Sequence, residues 1–577
     1  MPTLQFKGKA LVQNHHLVVP FSELIPVKSL GLSKTPSLHD NLIVEGDNLK
    51  ALKALLPTYH GKVKCIYIDP PYNTGKEGWI YNDKVNSPMI RDWLGKTVDR
   101  DDLTRHDKWC CMMLPRLKLL REFLGNDGVL FASLDDNEIS HLRCLLDEVF
   151  GEDNFVGTII WKNVTDNNPT NISVEHEYIV CYAKSKDQLE KVWQADTLAV
   201  KERLVAVGQA FIKKHPNPEM RQSAYTEWFR ENKGQLWPLD RYKYIDDGGI
   251  YTGSQSVHNP GREGYRYDVL HPITKKPCKE PLMGYRFPRE TMDELLKTGR
   301  ILFGDDEDKI IELKLYAQEY RAKLSSLIEL DTRIGAYELK EVFTERKKTF
   351  DYAKPSELIR DLVAFSTRPD SIVLDSFAGS GTTGHAVLAQ NEEDGGQRRF
   401  ILCQMPYETA EQQRSGENIC KDVTAERIRR IARGLPQSKN AKLRNGLGGS
   451  FSYFKLGQEL QKQGILDGNN LPGYEALAGY VFFTATGDEF QPKKLKRSQH
   501  YIGTSREKDV FLIYEDDLEK LKDMALNLEL ARKIAAFSER PKLVFGPTKY
   551  HDQDYLDRLR IEFCQLPFEI YQRAQEK

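Results

Sequence analysis

The sequence predicts an α/β protein: a doubly wound sheet assembled in permuted order, with an inserted module and a C-terminal extension. Two observations carry the prediction. Short apolar runs at 42–44, 63–68, 128–134, 371–375 and 399–403 alternate with helical periodicity, the pattern of strand–helix–strand crossovers. Between about 166 and 345 that alternation fades and Tyr, Arg, Lys, Asn and Gly take over, which marks an insertion.

Taken in order, residues 1–40 read as an irregular arm punctuated by Pro20, Pro26 and Pro36. Residues 41–165 form the first half of the sheet. Leu42-Ile43-Val44 is a strand, Asp47 the N-cap of a helix from Leu49 to Leu56, and Val63 to Ile68 the next strand. A long stretch from Asn73 to Arg105, dense in Gly, Asp, Asn and Trp, is expected as a lid or DNA-facing segment. His106 to Leu124 is helical, Gly128 to Leu134 a strand, and Asn137 to Phe150 a helix capped by Asp135 or Asp136. Val156 to Trp161 and Tyr178 to Tyr182 are strands, the second belonging to the sheet although it falls inside the inserted stretch 166–345. That stretch is expected to hold a helix from Asp308 to Glu329 and a polar loop, Gly253 to Arg262, suited to base edges. Residues 346–450 complete the sheet, with a helix from Ser356 to Phe365 whose start offers N–H groups to a carboxylate. Residues 451–577 form the extension, with strands at Val510 to Tyr514 and Lys542 to Phe545.

The most specific string is Asp69-Pro70-Pro71-Tyr72, at the end of the second strand. Asp accepts an N–H from an exocyclic amine. Proline removes a backbone donor and fixes φ, so the Pro70 carbonyl can serve as a second acceptor. Tyr72 offers a face on which a flat base stacks. A strand running into a Pro-Pro turn with ordinary Tyr packing is the bland alternative.

The second string runs from Ser371 to Gly384: a strand ending in Asp375, then Ser376-Phe377-Ala378-Gly379-Ser380-Gly381-Thr382-Thr383, then a helix through His385 to Gln390. Glycines permit a tight turn and a close ligand approach, and the helix start offers free N–H groups. Gly379, Gly381 and Gly384 also satisfy the dinucleotide fingerprint, but that fingerprint needs an acidic residue closing the next strand, and Arg399 to Cys403 ends in Gln404.

Together the two strings resemble the S-adenosylmethionine-dependent amino-methyltransferases of DNA, with the amine motif first and the cofactor motif later, the order of the permuted β class. Glu45 to Leu49, Tyr67 to Gly75, Ser133 to Glu138, Lys354 to Ile359 and Thr424 to Arg430 extend the resemblance to the Mod subunits of type III restriction-modification systems. The resemblance implies a Rossmann-like methyltransferase fold, a target-recognition domain in 166–345, and a C-terminal extension that pairs two copies or docks a restriction subunit carrying helicase and nuclease activity. It implies an amine site at Asp69, Pro70, Pro71 and Tyr72, and cofactor contacts from Asp47, Lys354, Pro355, Asp375, Phe377, Gly379, Gly381, Thr382, Thr383 and Gln404. Many relatives carry Glu where this chain has Gln404, so the ribose contact passes either to Gln404 or to Glu408. The implied reaction is methylation of adenine N6 in double-stranded DNA by base flipping. Cytosine N4, a solitary regulatory enzyme, or a DNA-binding partner subunit without activity of its own are the alternatives.

Composition excludes several classes. The formal net charge of −1 is no polycation, so a DNA surface must come from local patches such as Arg427 to Arg444 or Lys493 to Arg497, runs that solvated helix and loop faces explain equally well. Nine scattered cysteines without C-x-x-C spacing point to a reducing compartment and no structural zinc. The start lacks a signal-peptide core and no apolar run approaches a membrane span, so a cytoplasmic enzyme is expected. The zinc deaminase signature and the P-loop are both missing, and His176-Glu177-Tyr178 fits neither. Glu338-Leu339-Lys340 after Asp331 is a loose nuclease-like string of the kind common on charged helices. In-line transfer to an amine needs no metal, and none is expected.

Overall fold

The computed structural model describes residues 3–74, 104–163, 171–195, 199–233, 236, 239–259, 261–346, 350, 352–407, 414, 416–459, 471–488 and 490–566. The expected lid thus lies almost wholly outside the described residues, as does Glu408. Two compact units emerge, one of residues 1–191 with 324–577, the other of residues 192–323.

The first unit is mixed α/β around a ten-stranded sheet. Its strands lie in the order Ser22–Pro26, Ser452–Glu459, Leu42–Glu45, Arg399–Gln404, Ile372–Asp375, Val63–Ile68, Leu124–Leu134, His176–Ala183, Phe155–Lys162 and Leu327–Glu329. From Ser452–Glu459 to Leu124–Leu134 all neighbours run parallel, and His176–Ala183 then runs antiparallel to both its neighbours. The central strands read as unbroken apolar runs because helices cover both faces, and Ile66, Leu374 and Ile401 are all buried. The covering helices include Asn48–Tyr59, Arg105–Phe123, Ser356–Ser366 and Thr382–Asp394, which bring Leu52, Leu55, Trp109, Leu117, Leu362 and Val387 into the core. Each such side chain contributes roughly 1.5–3 kcal/mol by leaving water. Asp47 caps the first helix, accepting from the Lys50 N–H at 3.1 Å.

Val63–Ile68 and Ile372–Asp375 are hydrogen-bonded neighbours, with Cys65 opposite Val373 and Ile66 opposite Leu374. Crossovers leave this pair in opposite directions, to Leu124–Leu134 on one side and Arg399–Gln404 on the other. The two sequence strings, about 300 residues apart, therefore open into one crevice at a topological switch point.

Several expectations change. The arm is not irregular: it forms helices Lys9–Val12 and His15–Val18 and then the edge strand Ser22–Pro26. That strand pairs antiparallel with Ser452–Glu459, so the extension expected from residue 451 gives its first strand to the main sheet. The helix expected to start at Asn137 begins at Ile139, after Glu138 and without a side-chain cap. Asp135 accepts from Asn137 instead, and Asp136 from the Tyr178 hydroxyl. Beyond residue 471, helix Tyr474–Thr486 accompanies a separate sheet ordered Tyr501–Thr504, Asp509–Leu512, Lys542–Gly546, Ile561–Gln565.

The second unit carries helices Ala199–Lys214 and Pro218–Asn232, the latter capped by Asn217, and a four-stranded antiparallel sheet. Tyr225, Tyr242 and Ile250 form one buried cluster, and Val257, Tyr285, Met292 and Ile311 another. The helix expected over Asp308 to Glu329 does not exist. Glu312–Tyr316, Ala322–Lys323 and Leu327–Glu329 are strands, because Ile311, Leu313 and Leu315 alternate with period two among residues that otherwise favour helix. Of the expected polar loop, Gly253 and Ser254 finish the strand Gly249–Ser254, and Pro260 lies outside the described residues.

Candidate active site

Asp69 leaves the end of Val63–Ile68 and is recessed, its side chain 23 % exposed. Lys354, 8 % exposed, brings its ammonium to 3.1 Å from Asp69 Oδ1 and 3.2 Å from Glu177 Oε2. The ammonium also donates to the Tyr72 hydroxyl at 2.8 Å, and that hydroxyl donates to Glu177 Oε2 at 2.6 Å. Glu177 Oε1 accepts from Asn163 Nδ2 at 2.6 Å. The ammonium stands 4.7 Å from the Tyr72 ring centroid, beside the hydroxyl end of the ring. Burial raises the Asp69 pKa, Lys354 opposes the rise, and Glu177 adds to it. Lys354 is pushed down by burial, but Asp69 and Glu177 more than offset this, so it stays charged. Lys354, which the resemblance assigns to the cofactor, brings its ammonium to the Asp-Pro-Pro-Tyr group, while its carbonyl accepts from the Thr382 hydroxyl beside the glycine turn.

The prolines are gripped from behind. Trp109 Nε1 donates to the Pro71 carbonyl at 2.7 Å, so the carbonyl tied down here is that of Pro71, not Pro70. Asn73 follows with φ 60°, a left-handed conformation that Asn tolerates, and its amide donates to buried Glu138. Glu138 is also bonded to His106 Nδ1 at 2.6 Å and His141 Nδ1 at 2.8 Å. These three lie close enough to share a metal ion, and hydrogen bonding through Glu138 already accounts for their arrangement.

On the neighbouring strand Asp375 is buried, 3 % exposed. Its carboxylate accepts from the Phe377 N–H at 2.9 Å and the Thr383 hydroxyl at 2.5 Å. Burial, with the Asp69 charge adding to it, pushes its pKa up to about 7. Gly379 and Gly381 have φ of 51° and 82°, where a side chain is strained, and a Cβ on Gly381 would also meet Thr424 Cγ2 at 3.2 Å. Helix Thr382–Asp394 starts at Gly381 without a side-chain cap, so no N-cap side chain takes up its first N–H groups. The Thr382 and Thr383 hydroxyls are taken by the protein: Thr383 by Asp375, Thr382 by the Lys354 carbonyl and by Arg427 at 3.0 Å. Both hydroxyls are therefore engaged within the protein. Gln404 turns back, accepting from the Gly379 N–H at 2.6 Å. At the start of helix Ser356–Ser366 the first donor is likewise used: Glu338 accepts from the Ser356 N–H and hydroxyl, the latter at 2.7 Å. Pro355, at its N-cap, carries no donor. Beyond Gln404, a cavity of about 340 Å³ is lined by Glu45, Gly46, Asp47, Pro406 and Lys455 among others. Asp47 faces Arg116 there at 3.3 Å.

These residues fit an adenosyl-sulfonium donor: an uncapped helix start for a carboxylate, a buried acid for an amino group, the Ser376 hydroxyl buried without a partner, and a cavity beyond.

Sequence reasoning missed Glu177, Asn163, Trp109, Glu138 and Glu338, and it placed one buried arginine on a surface. Arg427 belongs to no basic patch: it is fully buried and paired with Glu338 at 3.0 Å. Arg429 and Arg430 pair with Glu426, Lys442 with Glu392 and Glu393, and Arg497 with Glu515 and Asp516. The nuclease-like string dissolves too, since Glu338 braces Arg427 and Asp331 pairs with Arg333.

Among the described residues no helix is long and apolar enough to cross a membrane. Residues 63–414 match the N6/N4 methyltransferase family described as "DNA methylase". The chain is 50 % identical over 447 residues to the Mod subunit of the type III restriction-modification enzyme EcoP15I of Escherichia coli, a span of 75 % of this chain and 69 % of that protein. It is 31 % identical over 506 residues to the StyLTI Mod subunit of Salmonella typhimurium, covering 84 % and 70 % of the two chains. To the EcoPI Mod subunit of Escherichia phage P1 it is 32 % identical over 439 residues, covering 70 % and 63 %. With the family match running from the strand before Asp69 to beyond Gln404, the chain belongs to the N6/N4 DNA methylases and is a DNA methyltransferase.

Proposed function

We propose that the protein transfers the methyl group of S-adenosylmethionine to N6 of adenine in double-stranded DNA, as the modification subunit of a type III restriction-modification system. The observation that carries this reading is the adjacency of Val63–Ile68 and Ile372–Asp375, which points the amine tool and the glycine turn into one crevice.

The target adenine leaves the duplex, at roughly a few kcal/mol of unstacking, and stacks on Tyr72. Asp69 and the Pro70 carbonyl accept the two amine hydrogens and turn the nitrogen lone pair toward the methyl carbon. The C–N bond forms as the S–CH₃ bond breaks and its electron pair stays on sulfur. The amine proton, acidic only as the new bond forms, leaves by way of Asp69 or solvent. Asp375, Phe377, Gly379, Gly381 and the N–H groups of Thr382 and Thr383 hold the methionyl end, with Pro355 closing over it. Asp47 and the cavity beside Gln404 take the adenosine. Residues 166–345, with the compact unit 192–323 at their centre, read the DNA sequence. The C-terminal extension pairs two copies or docks the restriction subunit, in the cytoplasm.

Incubating the protein with unmethylated duplex DNA and methyl-labelled cofactor, then identifying the labelled nucleoside by mass spectrometry, tests the reading. N6-methyladenine supports it. N4-methylcytosine keeps the chemistry and overturns the base, and no label on DNA overturns the proposal.

A further inference from the structure

We propose that Lys354 is a positioning residue for Asp69: it holds the carboxylate ionised and aimed before the base arrives, from a scaffold that the base does not displace. The proposal rests on the amino-methyltransferase reading above.

Three features of the cluster support it. The ammonium is anchored independently of Asp69, by Glu177 Oε2 and the Tyr72 hydroxyl, and Asn163 in turn fixes Glu177. It approaches Asp69 Oδ1 to 3.1 Å, and a carboxylate oxygen so engaged still has a further lone pair for an incoming N–H. The charges also require it. Asp69 shares its surroundings with Glu177 on His176–Ala183, Asp375 on the adjoining strand, and Tyr67 and Tyr72 of its own segment; Asp135 faces Glu177 from the end of Leu124–Leu134. Among the described residues, Lys354 is the cation that faces Asp69. Without it, a recessed carboxylate beside other acids takes up a proton and presents O–H where an acceptor is needed. Buried acid pairs elsewhere behave in this way, with one member kept protonated by the other's charge.

The test compares wild type with Lys354→Met, Lys354→Arg and Glu177→Gln. It measures cofactor affinity by calorimetry, DNA affinity, and single-turnover methylation across pH 6 to 9.5. Lys354→Met is expected to bind cofactor within about threefold of wild type. Its methylation falls on the order of 100-fold at pH 7 and partly recovers as pH rises, because the acidic limb moves up by at least about one pH unit. Lys354→Arg restores most of the limb. Glu177→Gln, which removes a neighbouring negative charge, moves it down, and this variant keeps the test decisive if the methionine variant does not fold. A Lys354→Met enzyme that loses cofactor binding with an unmoved pH limb would be a cofactor contact, and the proposal fails. Wild-type kinetics in that variant, or an upward shift in Glu177→Gln, also overturns it. Failure of the function reading is distinct, because wild type itself then leaves DNA unlabelled.

Discussion

Asp69 and Asp375 stand at the carboxyl ends of adjacent strands, and the protein treats them in opposite ways. Asp69 has an ammonium 3.1 Å away, whereas Asp375 has a hydroxyl and an amide. Neutral donors satisfy the geometry of a carboxylate but do little against the loss of solvation, so Asp375 titrates up to about 7. A cation compensates the charge itself. Burial raises both carboxyls, and a neighbouring ammonium opposes the rise at Asp69 alone.

The strongest way to break this contrast is Asp69→Ala. Transfer is expected to fall by at least about 10⁴-fold in a single-turnover assay, with cofactor binding still measurable, since only the amine site loses its acceptor. Equal turnover would sink the assignment. Gly381→Trp attacks the other side: the left-handed turn beside Thr424 cannot hold a side chain, and cofactor affinity should drop on the order of 100-fold or more in calorimetry. Asp375→Asn sharpens the contrast. Wild-type cofactor affinity should rise up to about tenfold per pH unit toward pH 7 and then level off, whereas the Asn variant shows no such slope. For folding without cofactor the sign is reversed. The folded pKa of about 7 lies above the ordinary 3.8, so Asp375's contribution is complete below pH 4 and lost as pH rises through 7. Thermal melts of the two proteins should therefore converge at low pH. The smallest effect is expected from Gln404→Glu, which keeps the acceptor for the Gly379 N–H and adds a charge beside the glycine turn. A change of about twofold to fivefold in cofactor affinity would fit, and a complete loss would mean that Gln404 itself holds the ligand.

What was legible in the sequence was what is contiguous. Asp69 to Tyr72 and Asp375 to Thr383 are unbroken strings whose backbone requirements, proline at one and glycine at the other, restrict residue choice locally. The same holds for Asp47, whose capping bond spans three residues. Lys354, Glu177 and Asn163 were not legible as a group because they come from three elements and meet only in the folded sheet. Arg427 misled for a related reason: a run of arginines looks like a surface, and only packing shows that one lies at 0 % exposure against Glu338. The false helix over Asp308 to Glu329 shows propensity overridden by a period-two pattern that finds sheet partners, with Leu313 opposite Ser254 and Leu315 opposite Thr252.

The second unit enters and leaves through one small joint, Gln194–Ala195 paired antiparallel with Ala322–Lys323. Chain ends zipped together in this way let an inserted body be exchanged without respacing its host, because closing a loop depends only weakly on how much chain it contains. Recombination at these two short segments could replace one body with another while the strands bearing Asp69 and Asp375 keep their register.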